Sequence, residues 1–412
     1  VSGKGQAAVP STIKMWLFPS EVADTIMKQA DLQQFRTPGI EFRGAPFWAW
    51  NSKLEIPELL RQLRHLKRMG FGGFFMHARV GLDTEYLGDE WFECIRACVA
   101  EAEKLGMNAW LYDEDRWPSG AAGGKVTKDD RYKMKGLYCE PAADLRKVEF
   151  PENTLAWFAA AADPETRTVS SFRRIPEPER GELAAGEQLL RFYWKNDERS
   201  SWFNGETYLD TLNEEAVRKF VEVTHEQYLR KTGEQFGRTI PGIFTDEPCY
   251  SHFAYDALPW SLRVPEEFRK KYGYDLLNHL PELFYHTGEE VSHARWAYYN
   301  LITSMFVKAF SGTIGGWCEK YGLNLTGHVL AEDSLTSQTA CSGAVMRFYE
   351  YMQIPGIDLL TEHWNIFGTT KQCVSAARQF GKPVRLTEIY GCTGWDFPFS
   401  GHKALGDWQY AL

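Results

Sequence analysis

Seven times along this chain a short apolar run is followed by a stretch with the period of an amphipathic helix. That alternation is the strongest constraint on the fold. The apolar runs fall at 45–50, 72–77, 108–113, 240–244, 324–330, 357–360 and 384–390. Helical patterns lie between and after them, at about 56–69, 90–105, 213–232, 265–280, 290–320, 337–352, 370–380 and 403–410. In the first of these, Leu59, Leu60, Leu63 and Leu66 share one face and Pro57 suits the first turn. Asp89 is a plausible N-cap for the second, and Gly381 ends the 370–380 helix.

Short apolar strands flanked by helices predict a parallel sheet buried on both faces. Two α/β architectures compete. A doubly wound sheet needs a glycine-rich phosphate loop after an early strand, and no GxGxxG follows the first strand. Gly70, Gly72 and Gly73 precede a strand instead. A (β/α)8 TIM-type barrel needs polar residues at the C-terminal end of nearly every strand. That pattern is present, so the barrel is expected.

Periodicity breaks over 139–208, where polar and apolar segments alternate among many Pro, Glu and Arg residues. This stretch is expected to be a mostly-β insertion after the third strand. The expected organisation is an N-terminal extension over 1–40, a barrel domain over 41–412 and the insertion within it. Seven strands leave a barrel one short, and an open parallel edge is unsatisfied. Either residues before Ala45 fill the gap or the chain is a fragment of a longer enzyme, incomplete at its C-terminus. The fragment is favoured, and with it weak activity for these residues alone.

The strand ends carry the chemistry. They offer Trp50 and Asn51; His77 and Arg79; Asp113, Glu114, Asp115, Arg116 and Trp117; Asp246 and Glu247; His328, Glu332 and Asp333; Glu362, His363 and Trp364; and Glu388, Trp395 and Asp396. Glycoside hydrolysis needs one carboxyl to protonate the leaving oxygen and a second as nucleophile or activator of water. Glu247 and Glu388 are the best pair, each just beyond a buried strand, with Glu332 the substitute for either. Asp246 is placed to orient its neighbour. His77, Arg79, Asp113, Glu114, Asp115, His328, Glu362, His363 and Asp396 are candidates to hold sugar hydroxyls, and Trp117, Trp364 and Trp395 to stack under a ring. Metal ligation stays open; carboxylates in this number would suit a hard cation such as Ca2+.

Composition narrows the partners. A net charge of -9 without a basic tract argues against nucleic acid, and no apolar run approaches a membrane span. Aromatic residues make up 15% of the chain, a density that suits a carbohydrate partner. The 8 cysteines show no CxxC pair and read as free thiols, which favours the cytoplasm; a removed signal would allow the periplasm or secretion. Nothing indicates the oligomeric state.

The runs PFWAWN (46–51), GFGGFFMHARVGLDTEYL (70–87), WLYDEDRWPSGAAGG (110–124), FTDEP (244–248) and TEIYGCTGWDF (387–397) resemble the family 106 glycoside hydrolases, the α-L-rhamnosidase family and its bacterial relatives. The likeness runs from about residue 40 to the end, apart from 139–208. It implies a (β/α)8 catalytic domain, an inverting mechanism and calcium at the site. It also implies that Glu247 is the general acid and Glu388 the general base. An inverting pair should stand roughly 6.5–9.5 Å apart. The alternatives are a retaining enzyme with Glu388 as nucleophile and an inactive or truncated carbohydrate-binding barrel.

Overall fold

The computed structural model describes residues 29–141, 151–176, 183–252, 256–288, 291–362 and 366–412. Each of the seven apolar runs holds a parallel strand. In chain order the first three are β1 (Phe47–Trp50), β2 (Gly73–Ala78) and β3 (Asn108–Tyr112). An excursion then supplies β4 (Lys135–Pro141), β5 (Thr154–Asp163), β6 (Thr168–Ile175) and β7 (Gln188–Asn196). The chain returns with β8 (Gly242–Thr245), leaves again for β9 (Ala257–Trp260), and finishes with β10 (Asn324–Gly327), β11 (Gly356–Asp358) and β12 (Leu386–Glu388).

The parallel strands lie in chain order. One sheet runs β1-β2-β3-β8-β10, and β11 pairs with β12. Ile354 N–H donates to Leu325 C=O at 3.1 Å, tying the entry to β11 onto β10. Among the described residues the sheets are not closed into a barrel. The interior is nonetheless shared from both ends of the series. Phe75, Tyr112 and Phe244 pack with Phe47 of β1 and Leu386 of β12.

Side-chain parity sorts each strand into two layers. Trp110 and Tyr112 face the interior while Leu111 packs among the helices; Phe244 faces inward and Ile243 outward. The helices cover the outer layer. Ile56–Arg68 buries Leu59 and Leu63, and Asp89–Leu105 buries Trp91, Phe92, Ile95 and Val99. Gly88 rather than Asp89 is the N-cap of the latter, so Asp89 instead puts its charge on the helix's positive end.

The second sheet is antiparallel, in the order β6-β5-β7-β4-β9. Four strands come from the excursion after β3, but the edge strand β9 comes from the excursion after β8 and pairs with β4. Pro259 sits on that edge strand opposite Gly136, a place where a missing N–H is tolerated. The aromatic- and proline-rich composition after β8 carries no signal of this long-range pairing.

Candidate active site

The carboxylates that meet are those of the later strands. Asp246 follows β8, His328 follows β10, Asp358 ends β11 and Glu388 ends β12. Asp358 and Glu388 are direct partners in the β11–β12 register. His328 Nε2–H donates to Glu388 Oε2 at 2.8 Å and lies 3.6 Å from Asp246 Oδ1. Burial pulls the His328 imidazole toward its neutral form, but the hydrogen bond to Glu388 and the charges of Asp358, Glu388 and Asp246 outweigh it. They hold it protonated well above the ordinary histidine range.

Glu247 stands beside this cluster in a left-handed conformation, with φ 48°. A non-glycine residue there is strained, and the strain turns the glutamate out of the β8 alternation. Burial pushes its carboxyl up to about 8, with His328 opposing and Asp246, Asp358 and Glu388 adding. The Glu247 and Asp358 carboxyls lie near enough to influence each other's protonation. Asp358 is itself raised, by burial first and then by Glu388 and Asp333.

Asp246 is anchored from below. Tyr112 Oη donates to its Oδ2 at 2.6 Å, and Ser119 Oγ accepts from its backbone N–H at 2.8 Å. Burial raises its carboxyl above the usual range. Glu332 is a buried strut: it accepts Asp358 N–H at 2.5 Å and Tyr349 Oη at 3.0 Å. Burial pushes it up to about 8, and its two oxygens are committed to these partners.

The early strands contribute differently. His77 faces inward, stacked on Phe47 with ring centroids 4.9 Å apart and meeting the edge of Tyr112 at 4.0 Å. Burial and then the charge of Arg79 lower it to about 3, so it is neutral. Arg79 lies 4.7 Å over the Trp117 ring, which meets Trp202 edge to face at 4.5 Å. These three form a partly exposed aromatic and cationic wall at the ends of β2 and β3.

Several expected ligands have structural places instead. Parity from Tyr112 sends Asp113 to the helical layer, where it accepts Ser119 Oγ–H at 2.6 Å and lies 3.8 Å from His225 Nε2. Glu114 accepts four backbone N–H groups, from Asp115, Gly120, Ala122 and Gly123, at 2.6–2.9 Å, and so clamps the loop after β3. Asp115 is buried and accepts Asn204 Nδ2–H at 3.1 Å. Glu362, Trp395 and Asp396 are exposed, with the Trp395 side chain standing clear of the protein. His363 and Trp364 lie outside the described residues.

The sequence reading missed Asp358, Ser119 and Tyr112. The apolar run to residue 360 places the rim of the sixth strand at Glu362, whereas β11 ends at Asp358.

Calcium is the ion that the family resemblance implies for this cluster. Asp246, His328 and Glu388 each offer one atom, all within 4.8 Å of one another. Calcium takes six to eight oxygen ligands. Here one of the three atoms is an imidazole nitrogen, and it already donates to Glu388. The set does not fit calcium as arranged.

No family model and no curated protein matches the chain by sequence. By structure it is similar to the rhamnosidase from Novosphingobium sp. PP1Y, with a TM-score of 0.61 and 14% identity over 92% of this chain and 55% of that one. The chain thus spans about half the length of that protein, and the likeness concerns the fold. The Flavobacterium johnsoniae chitobiase overlaps 83% of this chain and 38% of its own at 10% identity, but its TM-score of 0.31 bears no weight.

Proposed function

We propose that the chain is the catalytic part of a glycoside hydrolase of the family 106 type, cleaving a terminal sugar such as an α-L-rhamnoside from an oligo- or polysaccharide. One observation carries the reading: two glutamates from separate strand ends, Glu247 after β8 and Glu388 on β12, adjoin one buried cluster, Glu388 accepting His328 Nε2–H at 2.8 Å and Glu247 having its carboxyl raised by burial. Glycoside hydrolysis needs one carboxyl that gives a proton and a second carboxyl across from it. Glu247 protonates the leaving oxygen. Glu388 takes the proton of an attacking water, which inverts the anomeric centre.

The in-order strands and shared interior support a (β/α)8 barrel in which one further strand would join β12 to β1. The eight cysteines, none of them in a disulfide, suit a reducing compartment such as the cytoplasm.

The test is hydrolysis of a panel of p-nitrophenyl glycosides, α-L-rhamnoside first, with the first-formed anomer followed by NMR. An inverted anomer is the expected product. A retained anomer would make Glu388 a nucleophile. No turnover on any member, with sugar binding intact, would leave a carbohydrate-binding barrel.

A further inference from the structure

Family resemblance implies calcium at this site, and the residues present do not accept it. The disagreement has a physical source. Asp246, Glu247, Glu332 and Asp358 come from three strand ends, those of β8, β10 and β11, and each is raised by burial among like charges. In all four, the positive charge that opposes the rise is His328. Such a crowd of carboxyls needs a counter-charge at its centre, because unpaired buried anions are expensive. Nε2 of His328 holds that position, 2.8 Å from Glu388 and 3.6 Å from Asp246, with the side chain 1% exposed.

We propose that His328 is the resident cation of this cluster, a positioning residue that fills the place of a divalent ion. Its backbone is fixed by Gly327 before it. A Cβ on Gly327 would sit 1.8 Å from Thr245 C=O, so only glycine lets β10 press this close to β8. The close approach carries His328 over Asp246. The ring then orients Glu388 through one directional hydrogen bond, a geometry that a spherical ion does not impose. The inference rests on the function proposed above only for its catalytic consequence; the charge arrangement stands without it.

The experiment uses the full chain. Metal content is measured by mass spectrometry after dialysis. Thermal melting is followed with calcium chloride, with zinc chloride and with EDTA, for wild type, His328→Ala and His328→Gln. The wild type should carry no stoichiometric metal and melt at one temperature in calcium and in EDTA. His328→Ala should melt lower and regain part of the loss in calcium, because Asp246, Asp358 and Glu388 then face an open space. His328→Gln gives the same comparison with the volume kept, should the alanine variant fail to fold. One equivalent of calcium or zinc in the wild type, or a melting temperature that falls on chelation, overturns the proposal. These readouts need no turnover, so an absence of glycosidase activity would sink the function and leave this inference standing.

Discussion

His328 and Glu388 are sixty residues apart in sequence, yet Nε2–H of one donates to Oε2 of the other at 2.8 Å. The bond joins the strand ends of β10 and β12 across β11, and through Asp246 it reaches β8. The proposed acid and base flank that contact.

Glu247→Gln removes the proposed acid while keeping its shape. Its kcat should fall roughly 10²–10⁴-fold with KM little changed. The loss should be smallest for p-nitrophenyl leaving groups, which need little protonation, and largest for alkyl glycosides. Equal losses across leaving groups would assign Glu247 another role.

The alkaline limb of the activity profile should fall near pH 8, where Glu247 loses its proton. Stability should move the same way. Glu247 and Glu332, both raised to about 8, bind protons in the folded state that their unfolded forms release near 4.5. The folded state is therefore favoured on the acid side of that window, and stability declines as pH rises through it. Urea melts at about pH 5 and about pH 8 should show the decline. A rise in stability across that interval would contradict the assigned protonation states.

Asp358→Asn removes a charge that helps hold the Glu247 proton. The alkaline limb should shift to lower pH, and kcat should drop at the former optimum. Glu362→Gln, on the exposed residue that strand-end counting would choose, should change neither.

Glu114→Gln places an amide against four backbone N–H donors. One amide oxygen cannot replace two carboxylate oxygens, and hydrogen bonds to a charged acceptor are the stronger kind. The substitution should cost on the order of 3 kcal/mol. Denaturant unfolding would measure it, and a change near zero would mean that the loop after β3 does not depend on this clamp.

Gly327→Ala should be destabilising at a place no catalytic motif marks. The backbone φ of 123° alone costs a side chain roughly 1–3 kcal/mol. The contact with Thr245 C=O adds to that and displaces His328. Circular dichroism melts and the activity assay together would separate the two effects.

Much of this protein is written in local sequence. The seven parallel strands follow from apolar runs set between helical periods, because burial on both faces selects such runs wherever they occur. The candidates Glu247 and Glu388 follow from their place at or just past a strand end. Parity within a strand would also have turned Asp113 away from the interior, since Trp110 and Tyr112 point inward. What tertiary structure alone decided is convergence. Which strand ends meet depends on pairing between segments more than a hundred residues apart, as β9 shows in crossing to β4. The same convergence sets protonation. Glu247 and Glu114 are both glutamates at strand ends, but one is buried among carboxylates and the other caps a backbone loop. A residue's charge state depends on the dielectric and the charges around it, and those exist only once the chain has folded.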